Sequence, residues 1–252
     1  MDDIFFFDAD CQIGSGPNDG VGPTVSEFLD EMDEYGIDRA LVRHINAPMV
    51  GALESNRDLA ELLKDDEQGR LTGVWSILPS QCRELPEPDE FFRQMKENRI
   101  GALILYPYDH RYVPCRLTLG KIMDAARERR IPVLVNAFSG QWRDLYAFAA
   151  EFPQNILILC DTYGKWGHDR WVRPLLETYP GFHYGMTGYW VPEGIRDLAD
   201  TYGAERFLYS SGYPRYIQGS GMLQLKYSGL EKDKIAQIAG ENLAGLLKGV
   251  QL

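Results

Sequence analysis

The chain has 252 residues, of which 44% are hydrophobic and 25% are charged, a composition typical of a globular protein with one large domain or two small ones. Its formal net charge of −11 and its pI near 4.9 argue against the basic surface that nucleic acids or anionic membranes would require. The acidic start does not resemble a signal peptide, and no apolar run approaches the roughly 20 residues of a membrane span, so we expect a cytoplasmic protein.

Cysteine usage indicates free thiols in a reducing compartment. The cysteines are widely spaced and form no C-x-x-C pair, so the sequence predicts neither a disulfide framework nor a zinc knuckle. The four residues are Cys11, Cys82, Cys115 and Cys160.

Short apolar runs rich in β-forming residues alternate with longer amphipathic segments along the whole chain. Near-continuous apolar runs are typical of strands that are buried on both faces of a parallel sheet. We predict eight such strands, within residues 4–10, 39–44, 71–77, 101–107, 131–137, 155–161, 182–188 and 206–212.

The segments between the runs have helical periodicity. The first begins at a capping residue, Thr24 or Ser26, and ends at Gly36, a residue suited to the left-handed conformation after a helix. Further helices are predicted within 117–130, 144–152, 170–179 and 230–247. Eight βα units in this length predict a single-domain (β/α)8 TIM barrel over residues 1–252, with an open doubly wound sheet as the alternative.

Polar and aromatic residues follow the apolar runs, and in a barrel the carboxyl ends of the strands meet at the mouth that holds the active site. Because side chains alternate along a strand, we expect Asp8, Asp10 and Gln12 to share one face, and Cys11 and Cys160 to point toward the helices as unreactive thiols. The other strands are expected to contribute Arg43, His44, Tyr106, Asn136, Asp161, Lys165 and Tyr189.

Five segments, in order along the chain, carry a family resemblance. They are "FDADCQIG", "IPVLVNA", "NILILCDTYG", "AERFLYSSGYPRY" and "IAGENLAGLL". Together they resemble the amidohydrolase superfamily, and within it the amidohydrolase-related branch of metal-dependent barrel hydrolases and decarboxylases. The resemblance implies a TIM barrel with its site at the carboxyl ends of the strands.

The departures from the family pattern concern its metal. The family holds the ion with two first-strand histidines, a fifth-strand histidine and an eighth-strand aspartate. Here the matching residues are Asp10, Gln12, Asn136 and Gly212, and Asp161 matches a sixth-strand histidine. Zinc prefers imidazole or thiolate ligands, so we expect the zinc site to be absent. A hard cation, Mg²⁺ or Ca²⁺, on Asp8, Asp10, Gln12, Asn136 and Asp161 is the weaker alternative.

Each candidate residue has a functional and a structural interpretation. Asp10 and Asp161 are candidate acid and base residues, or else hydrogen-bonding members of a relic pocket. An anionic substrate group would suit Arg43 and Lys165, with orientation from Gln12 and Asn136. His44 is either catalytic or structural, and Tyr106 and Tyr189 either line a ligand pocket or fill it.

Two functions follow from these residues. The first is a metal-independent hydrolase or lyase that acts on a small anionic carbonyl compound. The second is a non-catalytic barrel, a pseudoenzyme, that binds a metabolite or a partner protein. Neither a nucleic acid nor a membrane is an expected partner, and a homo-oligomer is possible.

Overall fold

The computed structural model describes residues 4–15, 22–138, 140–160 and 169–252. Within these residues, eight strands form one parallel sheet in which each strand pairs with the next along the chain. Each of the eight strands overlaps its predicted apolar run. They are β1 Phe7–Ile13, β2 Arg39–His44, β3 Leu71–Ile77, β4 Ile100–Leu105, β5 Val133–Leu134, β6 Leu157–Leu159, β7 Phe182–Gly185 and β8 Phe207–Leu208.

The sheet closes on itself where β1 meets the segment that follows β8. The backbone N–H of Gln12 donates to the carbonyl of Tyr213 over 2.9 Å, and that of Gly212 donates to the carbonyl of Asp10 over 2.9 Å. Cys11 and Tyr213 form a parallel bridge at the same place. The predicted (β/α)8 barrel is therefore confirmed.

Helices follow the strands around the barrel. Among the described residues, none of them is both long and apolar enough to cross a lipid bilayer. They are α1 Val25–Tyr35, α2 Ala47–Val50, α3 Ala52–Leu62, α4 Pro88–Glu97, α5 Arg116–Glu128, α6 Trp142–Glu151, α7 Asp169–Thr178, α8 Gly194–Tyr202, α9 Gln218–Lys226, α10 Lys232–Ala236 and α11 Asn242–Lys248, with a π-helical segment, Gln237–Glu241, joining the last two.

The first helix shows why the local sequence folds as predicted. The side chain of Thr24 accepts the N–H of Glu27 over 3.2 Å, while the Glu27 carboxylate accepts the N–H of Thr24 over 2.9 Å. This capping box satisfies donors that the helix itself leaves free. At the other end Gly36 has a φ of 70°, a left-handed conformation that glycine adopts without strain.

The core has two layers, one inside the barrel and one between the strands and the helices. Alternate residues of each strand enter the interior layer, as the period of a strand requires. Leu243 of α11 joins that layer, and Leu247 approaches the start of β4 at Gly101. The interior layer contains Phe7, Ala9, Leu41, Val74, Ala102, Ile104, Leu134, Ile158 and Leu208.

A β-bulge interrupts the alternation of β1. Asp8 pairs with Ala40, but the next pair joins Cys11 to Val42, so β1 uses one residue more than β2 over this stretch. Asp8 and Cys11 therefore lie on the outer face, whereas Asp10 and Gln12 reach Arg43 of the barrel mouth. The prediction that Asp8 shares a face with Asp10 is wrong, because simple alternation does not anticipate the extra residue.

Candidate functional site

The mouth of the barrel is formed by the inward-facing residues that lie two positions beyond the interior layer. Each follows an interior apolar residue of its own strand, so the strand period alone directs it into the mouth. They are Arg43, Tyr106, Asn136, Cys160 and Ser210, which follow Leu41, Ile104, Leu134, Ile158 and Leu208.

The centre of this mouth is an ion pair between β1 and β2. Arg43 donates from Nε and from Nη2 to the same oxygen, Oδ1 of Asp10, over 3.1 Å and 2.8 Å. Side-chain exposure is 9% for Arg43 and 1% for Asp10, so water screens the pair poorly. Such a pair holds a positive charge rigidly at the carboxyl ends of the strands.

Two further groups complete the surroundings of the guanidinium. With its amide oxygen turned toward Arg43, Gln12 accepts from Nη1 over 2.7 Å and from Nη2 over 2.8 Å. The hydroxyl of Tyr106 accepts a longer bond from Nη1, 3.4 Å. A guanidinium carries five N–H donors, and these contacts engage all of them.

The electrostatics of the pair favour full ionisation of Arg43. Burial is the largest single influence and opposes the charged guanidinium, but the charge interactions and hydrogen bonds with Asp10 and Tyr106 together outweigh it and raise the pKa of Arg43 above its ordinary value. Burial raises the pKa of Tyr106 as well, although Arg43 acts in the opposite direction. At neutral pH this tyrosine is a hydrogen-bonding hydroxyl and not a phenolate.

Two polar atoms in the mouth lack a hydrogen-bond partner in the part of the chain that the structure describes. One is Oδ2 of Asp10, an acceptor, and the other is Nδ2 of Asn136, a donor. The oxygen of Asn136 is already engaged, because it accepts the backbone N–H of Cys160 over 3.0 Å. Buried polar atoms are normally satisfied, so the unpaired acceptor and donor mark where a ligand or water would bind.

Cys160 faces the mouth and not the helices, contrary to the expectation from sequence. It packs in the same cluster as Ile158, two residues earlier on the same face. Space for it comes from Gly185, where a Cβ would lie 2.4 Å from the Cys160 sulfur and 2.6 Å from Oγ of Ser210. Burial raises the pKa of Cys160 well above its ordinary value, so the thiol stays protonated at neutral pH.

The segment after β2 folds over the mouth. Ala47 of α2 packs against the interior layer, and its carbonyl lies 2.8 Å from Nε2 of His110. Asn46 anchors the segment by donating from Nδ2 to the carbonyl of Ser15 over 2.6 Å. Beneath it the described site residues are almost closed from solvent, with exposures of 2% for Asp10, 7% for Arg43, 4% for Tyr106 and 6% for Asn136.

Asp8 is the centre of a separate buried network that sequence reasoning did not anticipate. Its carboxylate accepts the N–H of Ser211 over 2.9 Å and the amide of Gln218 over 3.0 Å. The sulfur of Cys11 lies 3.8 Å from Oγ of Ser211. Burial raises the pKa of Asp8 despite these bonds, and it raises that of Cys11 strongly. The network ties the start of the barrel to its end.

His44 and Tyr189 are not brought to Arg43. His44 follows Arg43 on β2 and faces the outside, where its Nδ1 accepts the N–H of Asn46 over 3.2 Å, and burial lowers its pKa. Tyr189 packs edge-on against Tyr184 in the outer layer, with ring centroids 5.8 Å apart. The remaining predicted residues, Asp161 and Lys165, lie outside the described part of the chain.

The residues that match the family's metal ligands are engaged in other contacts. Asp10 and Gln12 bind Arg43, and Asn136 binds the backbone of Cys160. Asp8, required by the Mg²⁺ or Ca²⁺ alternative, lies on the other face of β1. Within the described residues, no group of three or more histidine, cysteine or carboxylate side chains is placed so that it could hold a metal ion. The donors that the structure describes therefore do not fit a metal.

Structural comparison gives several barrels of the same fold. An uncharacterized TIM-barrel protein from Bordetella bronchiseptica is 16% identical, with a TM-score of 0.72 over 98% of this chain and 99% of that one. A 2,6-dihydroxybenzoate decarboxylase from Rhizobium is 14% identical, with a TM-score of 0.71 over 97% and 99%. A dihydroxybenzoic acid decarboxylase from a Polaromonas species, solved with manganese and the inhibitor 2-nitroresorcinol, is 16% identical, with a TM-score of 0.69 over 97% of each chain.

Sequence comparison then assigns the family. A search of curated proteins gives no match. The amidohydrolase family model, however, matches residues 17–242, which include every strand after β1 and most of the helices. The chain belongs to the amidohydrolase family.

Proposed function

We propose that this barrel binds a small aromatic or other carbonyl carboxylate at its mouth and acts on it as a metal-independent hydrolase or lyase. The observation that carries the proposal is the buried Arg43 guanidinium in a mouth that also holds two polar atoms without a partner among the described residues, Oδ2 of Asp10 and Nδ2 of Asn136. A fixed cation suits a carboxylate, and an unpaired acceptor and donor together suit a hydroxyl group.

The Tyr106 contact indicates where the ligand carboxylate would bind. At 3.4 Å it is the longest of the hydrogen bonds made by Arg43. Replacing it with a bond to a ligand carboxylate oxygen therefore costs the least hydrogen-bond energy. A ligand hydroxyl would then donate to Asp10 and accept from Asn136. Structural relatives support this chemistry, since two of them are named as decarboxylases of dihydroxybenzoates.

Proton transfer is assigned to carboxylates. Loss of carbon dioxide from a carboxylate leaves an electron pair on carbon, and that carbon must receive a proton. Hydrolysis in turn requires a base that takes a proton from water. Asp10 and Asp161 are the proposed proton carriers, and Gln12, Asn136 and Lys165 the proposed orienting groups.

A non-catalytic binding barrel is the second candidate. One observation favours it, namely that Arg43 and Asp10 neutralise each other while all the guanidinium donors are used. Such a pair holds a pocket in shape without performing chemistry. Turnover therefore has to be measured separately from binding.

The test compares two ligands that differ in one carboxylate, 2,6-dihydroxybenzoate and resorcinol, in chelator-treated buffer. Binding to the native state raises the unfolding free energy by about 2.7 kcal/mol at one hundred times the dissociation constant. Thermal denaturation should show a rise in Tm with the carboxylate and a smaller one with resorcinol. The same mixtures, followed by chromatography, report product formation.

Arg43→Lys and Arg93→Lys form the matched variants, because Arg93 also pairs with carboxylates but lies on the surface. The first should weaken carboxylate binding and the second should not. Binding without product over long incubation would favour the non-catalytic barrel. Equal behaviour of the two ligands, or of the two variants, would contradict the carboxylate site.

A further inference from the structure

We infer that the guanidinium of Arg43 takes the place of the divalent cation in this barrel and excludes a metal from the mouth. The inference rests on the metal-independent part of the proposed function and not on the substrate class. It is carried by contacts of described residues at the positions that match the family's ligands.

The first-strand positions each point one oxygen at Arg43, which leaves Oδ2 of Asp10 as the one carboxylate oxygen there without a partner among the described residues. Asp10 gives Oδ1 to two N–H groups over 2.8 Å and 3.1 Å, and Gln12 gives its amide oxygen to two more over 2.7 Å and 2.8 Å. Carboxylate and amide oxygens are the atoms that a hard cation would need. A metal at this place would have to displace a charged group that is already bonded there.

The other two positions are closed for different reasons. The oxygen of Asn136 is held toward the backbone N–H of Cys160, the amide nitrogen has no partner among the described residues, and a protonated amide nitrogen is not a metal ligand. Gly212 has a φ of 77°, and a Cβ there would lie 2.5 Å from Cγ2 of Thr187. An aspartate is therefore opposed by both backbone conformation and space.

Replacement of a metal by a guanidinium keeps one property of the site and removes another. The positive charge remains, held by a rigid planar group that suits carboxylates. A guanidinium has no open coordination position, so it cannot bind a water molecule as a Lewis acid does. The mouth thus retains a cationic group that can bind a carboxylate, although Asp10 balances its charge, and proton transfer passes to side chains.

Two histidine variants test whether Arg43 excludes a metal from the mouth. The triple variant Asp10→His, Gln12→His, Asn136→His retains Arg43, and a quadruple variant adds Arg43→Ala. Three histidines suffice for a zinc site. After incubation with ZnCl₂ and gel filtration, elemental analysis should give about one zinc per chain in the quadruple variant, with an affinity at least tenfold above that of the triple variant. Circular dichroism checks that both variants fold.

The unmodified protein provides a measurement that no folding defect can obscure. Titration with MnCl₂ and with ZnCl₂ should leave less than a tenth of an equivalent bound after gel filtration. One equivalent that is lost in Asp10→Ala would overturn the inference, as would equal zinc affinity in the triple and quadruple variants. Carboxylate binding, measured on the same preparation, can fail or succeed independently, so the two proposals are separable.

Discussion

Removal of the buried cation by Arg43→Met should destabilise the fold strongly. The two charges are 2.8 Å apart, and at an effective dielectric constant of about 20 their attraction is about 6 kcal/mol before desolvation is subtracted. Breaking a buried pair by removing one partner typically costs about 3–5 kcal/mol, because the other charge stays buried and unpaired. We expect a loss in that range, since Asp10 is 1% exposed.

The double variant Arg43→Met, Asp10→Leu removes both charges and should recover most of the loss, because apolar replacements of buried pairs are often neutral. Urea denaturation followed by tryptophan fluorescence gives both values. Arg93→Met is the control, since Arg93 is 56% exposed and its removal should leave the midpoint nearly unchanged. A loss below about 1 kcal/mol for Arg43→Met, or no recovery in the double variant, would refute the reasoning.

Three further changes test other parts of the barrel. His183 is buried, and its pKa is lowered to about 4 from 6.5. The free energy of unfolding should therefore fall by up to about 3 kcal/mol as the pH drops from 6.5 to 4, because protonation favours the unfolded state there. In His183→Gln the urea midpoint should depend less on pH over this range. Asp8→Asn turns an NH₂ group toward a donor and should cost about 1–3 kcal/mol in urea denaturation; unchanged stability would contradict the network. Gly212→Asp should lower Tm more than Gly36→Asp, because both have positive φ but only the former approaches Thr187; equal losses would argue against the contact.

The strands were predictable because a strand buried on both faces gives a short run of mainly apolar residues in the sequence. Arg39–His44 and Leu71–Ile77 are buried over most of their length and coincide with the predicted bounds. The helix from Val25 to Tyr35 was equally clear, since its capping residue and its terminal glycine are local signals. Both kinds of evidence depend only on neighbours in sequence.

The site was predictable as a set of residues but not as an arrangement. Asp10 and Arg43 were both expected at the mouth. Their pairing, however, depends on the bulge in β1, and no residue pattern in the sequence predicts that bulge. The alternation of side chains along a strand could have decided one further point. Arg43 and His44 are adjacent on a strand, so only one of them can face inward. Gln218 reaches Asp8 from a helix 210 residues away, and only tertiary packing reveals that contact.

The seam between β1 and the end of β8 also bears on how the barrel folds. Most of its βα units form contacts between neighbours in sequence, whereas the seam joins Asp8 to Ser211 across 203 residues. Closing so long a loop carries a large entropic cost, so we expect the seam to form late. Until then Asp8 lacks its main partners. The final closure of the ring and the burial of that carboxylate are therefore the same event.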